Sequence, residues 1–196
     1  MNKSSMATAS LVFLLSASAM ADCAGESGNE VANCGFNDDL AGWAMVTGDS
    51  FNHVTSGQRS GAGAASVNAF DASGNFVLSI ESDCFVPSED TGYAYGAQFQ
   101  LAAAVGSTVE CRALMTTYTM ASCAGSASVT NPTFTIINAS SYSAQVTTPL
   151  NTTGISSAKL TVACASFTGS DFIALIDDVF AGPGLTPVEL QHFSID

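Results

Sequence analysis

Tyr93, Tyr95, Ala97, Phe99 and Leu101 alternate with Ala94, Gly96, Gln98 and Gln100. A period of two over nine residues fits a β-strand with one buried face and not a helix. Strand-length segments recur at residues 65–70, 76–82, 108–119, 133–137, 143–147, 159–165 and 172–181. Turn formers separate them: Ser88-Glu89-Asp90, Gly106, Asn131-Pro132, Asn151-Thr152-Thr153-Gly154 and Thr168-Gly169-Ser170. Apolar stripes at helical spacing are rare. The pattern predicts an all-β domain, a jelly-roll β-sandwich of two antiparallel sheets.

The first residues carry a different signal. Lys3 precedes the apolar run Leu11-Val12-Phe13-Leu14-Leu15, which ends in Ala19-Met20-Ala21. That order is expected of a cleaved secretory signal at residues 1–21. The run is shorter than the roughly 20 residues a bilayer span needs, and no membrane span is expected elsewhere. The β-sandwich is then expected over residues 22–182, with a C-terminal tail at 183–196 after the Gly182-Pro183-Gly184 break. The expected location is extracellular or on the cell surface.

Cleavage removes Lys3 and leaves Arg59, Arg112 and Lys159 against 17 acidic groups, a net charge of −14. Such a surface repels nucleic acid and anionic lipid. It suits a neutral ligand, a cation or a cationic partner. With 47% hydrophobic residues and only 11% charged, the chain can build a core.

Cys23, Cys34, Cys84, Cys111, Cys123 and Cys164 remain after cleavage. An even count in an exported chain reads as disulfides, and the absence of C-x-x-C or nearby histidine spacings argues against zinc. Sequence proximity favours Cys23–Cys34 and Cys111–Cys123, which leaves Cys84–Cys164; six cysteines allow 15 pairings.

Asn33-Cys34-Gly35-Phe36-Asn37 with Leu40-Ala41-Gly42-Trp43 resembles the opening of carbohydrate-binding-module-like jelly rolls, within the galactose-binding-like sandwiches of secreted bacterial proteins. Ser56-Gly57-Gln58-Arg59-Ser60-Gly61 is similar to their turn before a strand. The run from Tyr93 to Phe99 resembles one of their strands, and Ile176-Asp177-Asp178-Val179 their closing strand. The resemblance implies a structural calcium held at Asp177 and Asn37, although Asn37 stands where relatives carry an acid. Calcium wants several oxygen ligands. It also implies a glycan face built from these strands, here carrying Gln98, Gln100, Arg112 and Tyr118. Gln98 stands where many relatives have tryptophan. The lone Trp43 is expected in the core.

No nucleophile elbow, zinc-binding histidine pair or phosphate loop is present. Asp38-Asp39 and Asp177-Asp178 are sequence neighbours, which in a regular strand point to opposite faces. His53 and His192 are expected at the surface. The chain is therefore read as noncatalytic. Its expected partner is a glycan or other extracellular polymer. The alternative is copies of itself, in a surface matrix or filament assembled through sheet edges or the tail. The tail carries Val188, Leu190, Phe193 and Ile195, more apolar residues than a free end needs.

Overall fold

The computed structural model describes residues 28–69, 77–88, 90–104, 108–130, 132, 134–137, 139, 141–143, 148–167 and 169–183. The expected signal segment, most of the expected strand at 143–147, His192 and the tail from residue 184 lie outside them. The regular structure is all strand: β1 (Trp43–Thr47), β2 (Ser50–Val54), β3 (Ala64–Ala69), β4 (Val77–Ser82), β5 (Tyr93–Ala104), β6 (Val109–Met120), β7 (Ala124–Val129), β8 (Thr135–Ile137), β9 (Thr148–Leu150), β10 (Ser157–Ser166) and β11 (Phe172–Pro183). Among the described residues no helix is long and apolar enough to cross a membrane.

Two antiparallel sheets form a sandwich. Sheet A runs β1-β4-β10-β6-β7, with β8 also pairing β6; sheet B runs β2-β3-β11-β5-β9. Their inner faces are the alternating apolar residues. Val109, Cys111, Ala113 and Met115 come from β6, and Leu160, Val162 and Cys164 from β10. Tyr93, Tyr95, Ala97 and Phe99 come from β5, and Phe172, Ala174 and Ile176 from β11. Trp43 is buried as expected, its ring centroid 5.4 Å from that of Phe36 and its Nε1 donating to Ala32 O at 3.2 Å. His53 is only half-buried rather than at the open surface, and its Nε2 lies 3.1 Å from Asn37 O.

The disulfides correct the pairing expected from sequence proximity. Cys111 bonds Cys164 and Cys84 bonds Cys123. Cys111 and Cys164 are directly opposed partners on adjacent β6 and β10, with Cα atoms 4.0 Å apart. Cys84 follows β4 and Cys123 lies in the β6–β7 turn, so their bond arches over the end of β10, the strand between β4 and β6. Sheet order decides both bonds, and sequence distance does not reveal sheet order. Cys34 is also disulfide-bonded; its expected partner Cys23 lies outside the described residues. Peptide mapping of the unreduced protein is expected to yield the 84–123 and 111–164 pairs and no 111–123 fragment.

Candidate functional site

The four expected glycan ligands do not share a face. Arg112 and Tyr118 alternate with the buried β6 residues and so lie on the outer face of sheet A. Gln98 and Gln100 alternate with the buried β5 residues and lie on the outer face of sheet B, across the sandwich. The period of two gave each pair correctly. That β5 and β6 belong to different sheets separates them.

The outer face of sheet B is roofed. Across it, Gln98 on β5 lies directly opposite Asp177 on β11. Gln98 is only 3% exposed, and its Oε1 is buried with no hydrogen-bond partner. The β2–β3 loop folds over this floor. Arg59 N and Ser60 N donate to Asp177 Oδ2 at 2.8 and 3.2 Å, and Asp178 N donates to Asp177 Oδ1 at 2.8 Å. Asp178 accepts from the Arg59 guanidinium and from Ser60 Oγ. Tyr142 Oη donates to Gly57 O at 2.9 Å. Gly57 has a φ of +81°, which strains any other L-residue, and a Cβ there would come 3.0 Å from Leu175 Cδ1 and push that side chain aside.

Both neighbouring carboxylates reach one loop, against the expectation that Asp177 and Asp178 face apart. The strand is not regular there. The β11–β5 register shifts between Asp177 and Phe180, and Asp178 has a φ of +45°. A bulge with a left-handed residue re-aims a side chain that alternation would have sent inward. Burial, and after it the charge of Asp178, pushes the Asp177 carboxyl up to about 6, against the lowering effect of its three N–H donors. Burial likewise raises the Tyr142 phenol, with Asp177 and Asp178 adding to it.

These contacts bear on calcium. Asn37 Oδ1 accepts from Ala62 N at 2.8 Å, so Asn37 and Asp177 both anchor the same β2–β3 loop. Each is faced by N–H groups, whose partial positive charge opposes a cation. As arranged, this oxygen pair does not fit a calcium centre, which needs more oxygens converging on one point. Among the described residues no three His, Cys, Asp or Glu side chains gather as a metal site. The melting temperature is expected to be the same in calcium as in chelator. A rise with calcium would restore the metal through mass action.

Sheet A is open. The Arg112 guanidinium lies 4.3 Å from the ring centroid of Phe134, and Phe134 meets Phe167 edge to face at 6.5 Å. Phe134 is 40% exposed; Phe167 and Ile136 are each 64% exposed. Ile136 on β8 sits opposite Glu110, two residues before Arg112. Tyr118 is half-buried on the same outward row of β6, about 20 Å further along at 3.3 Å per residue. Phe134 and Phe167 are not among the ligand residues expected from the sequence. Their signal was weak: Phe134 lies in the short expected strand 133–137, where alternation alone does not say which face is open, and Phe167 follows the end of β10 outside any alternating run.

No family model matches the chain and no curated protein matches it in sequence. Solved structures do match in fold. A family 61 carbohydrate-binding module in complex with β-1,4-galactotriose superposes with a TM-score of 0.55 at 15% identity, over 80% of this chain and 99% of that one. The C-terminal family 22 carbohydrate-binding module of Clostridium thermocellum xylanase 10B gives 0.53 at 13%, over 82% and 99%. A family 22 xylan-binding domain from Paenibacillus barcinonensis gives 0.52 at 10%, over 81% and 97%. The chain has the all-β sandwich fold of these modules.

Proposed function

We propose that this chain is an exported, noncatalytic glycan-binding module whose ligand lies on the outer face of sheet A. One observation carries the reading: solvent-exposed Phe134 and Phe167, with Arg112 stacked on the first ring, on the outer side of sheet A. Phenyl rings offer apolar faces to the C–H surface of a sugar, and a guanidinium fixed by stacking donates to hydroxyls from a set direction. The similarity in fold to modules that bind galactotriose or xylan supports the class of ligand. Neutral polymers fit best, because the net charge opposes acidic ones. In this reading residues 1–21 are removed on export, and mass spectrometry of the exported protein finds Asp22 as its first residue.

Electrophoresis through gels containing soluble xylan or galactan tests the site. The wild-type protein is expected to be retarded by at least one of them. Phe134→Ala and Phe167→Ala are each expected to weaken binding about tenfold, as central aromatic contacts do, with Tyr118→Ala weaker in effect. Gln98→Ala leaves retardation unchanged if sheet A holds the ligand. Loss of binding in Gln98→Ala alone would move the site under the roof of sheet B. A wild-type protein that ignores every neutral glycan overturns the proposal.

The second reading, self-association, has one feature in its favour, the edge of β7.

A further inference from the structure

All six residues of β7, Ala124-Gly125-Ser126-Ala127-Ser128-Val129, are exposed, and among the described residues β7 ends its sheet with β6 as its only partner. Thr130 N donates to Met115 O, Ser126 N to the Thr119 hydroxyl, and the Thr117 hydroxyl to Ser128 O. By antiparallel alternation the even-numbered β7 residues turn their backbone groups to β6, and those of Ala127 and Val129 point away from the sheet. Natural edges are normally guarded by lysine, proline or an inward charge. β7 carries none of these. The surrounding chain is bare of acid as well: the 60 residues between Glu110 and Asp171 contain no Asp or Glu, although the whole chain has 17. β7, β8, β9 and β10 all fall within this block.

We propose that β7 pairs with β7 of a second copy of this chain, in an antiparallel, two-fold symmetric dimer that joins the two A sheets. Three arguments select a second copy as the occupant. Among the described residues the edge offers backbone groups and small, exposed side chains, so the strand that fits is one equally small. Centring the two-fold axis on Ala127 sets Ala127 opposite Ala127 as a hydrogen-bonded pair, and Ser126 opposite Ser128. Every opposed pair at the centre is then small and uncharged. Finally, two molecules of net charge −13, or −14 once Lys3 is removed, repel each other, and a strand that carries no acid of its own adds least to that repulsion. The contact is isologous and uses the edge up, so it closes as a dimer and does not grow into a filament.

A two-fold axis perpendicular to the joined sheet keeps both outer faces on one side. Resting on the glycan reading above, the dimer presents two Arg112–Phe134–Phe167 platforms to one polymer, and binding to a polysaccharide gains avidity over binding to a short oligosaccharide. A single six-residue strand pair is a small interface, so the dimer is expected to be weak and concentration-dependent.

Sedimentation of the mature protein without glycan tests the dimer apart from the glycan reading. Dimer is expected to grow with protein concentration and with salt from about 50 to about 500 mM, because salt screens the repulsion between copies. Ala127→Lys sets two lysines opposite each other and is expected to weaken association at least tenfold with no change in melting temperature. Ala127→Cys is expected to trap the dimer through an interchain disulfide on oxidation. A protein that stays monomeric throughout, or a dimer indifferent to Ala127→Lys, overturns the proposal. So does a dimer lost on deleting residues 185–196, which would make the C-terminal segment the docking strand. With the dimer confirmed, a wild type that binds no neutral glycan would remove the glycan reading and leave the dimer standing, whereas equal polysaccharide binding by wild type and Ala127→Lys would remove only the shared-polymer geometry.

Discussion

Replacing both Cys111 and Cys164 by alanine is expected to lower stability by about 4 kcal/mol, the largest effect of any change considered for the core. The bond closes a loop of 53 residues, and the chain-entropy argument gives about 4 kcal/mol for a loop of that length. Both sulfurs are buried between the sheets, so alanine also removes packed volume that the sandwich cannot easily close over. For a domain of this size the melting temperature should fall by roughly 8–16 °C. The Cys84–Cys123 bond closes 39 residues, an entropic term nearly as large. Cys84 is exposed and Cys123 only half-buried, so little packing is lost with them. Cys84→Ala/Cys123→Ala should therefore be the milder of the two double variants. Urea unfolding of the three proteins decides this. A Cys111→Ala/Cys164→Ala protein within about 1 kcal/mol of wild type would mean that the unfolded chain is already constrained elsewhere.

The same two bonds show how far the sequence could be read. Strands β3, β4, β5, β6, β8, β10 and β11 each overlap a segment expected from alternation or β-branched content, and their inward residues form the core. Alternation works there because one face of each strand is buried and the other is not. It fails for β7, whose six residues are exposed on both faces and carry no pattern to read. It fails at β1 as well, where only Trp43 is buried and Ala44, Met45 and Val46 are exposed. β2 has no fully buried residue to mark a face. Sheet order lies outside local pattern altogether. Cys111 meets Cys164 because β6 and β10 are neighbours, and Gln98 parts from Arg112 because β5 and β6 are in different sheets. The Asp177–Asp178 pair escaped for a third reason. A bulge at one residue reverses the side to which a side chain points, and nothing in Ile-Asp-Asp-Val announces it.

That pair sets the second large effect: the protein is expected to be more stable near pH 5 than near pH 7.5. In the folded state Asp177 takes up its proton near pH 6, whereas the unfolded chain does so near the ordinary 3.8. Between those values the folded protein holds more protons than the unfolded one, so stability falls as pH rises. The contribution is complete below about pH 4 and is lost as pH passes through about 6. Two pH units at about 1.4 kcal/mol each set its scale at 2–3 kcal/mol. The cause is burial first and the neighbouring Asp178 charge second. Asp178 has the Arg59 guanidinium as its partner, whereas Asp177 has only neutral N–H donors from Arg59, Ser60 and Asp178 to offset the loss of water. Asp177→Asn keeps one oxygen for Arg59 N and Ser60 N while discarding the charge, so it should remove this pH step without releasing the β2–β3 loop. Asp177→Ala strands the loop's N–H groups under the roof and should cost about 1–3 kcal/mol for each donor left unpaired. Melting temperatures of wild type and Asp177→Asn from pH 4.5 to 7.5 separate this group from the other carboxylates. Their difference should grow as pH rises through 6, with the wild type losing ground. A constant difference across that range would mean that Asp177 stays charged in the fold, and that its three N–H donors outweigh both its burial and the charge of Asp178.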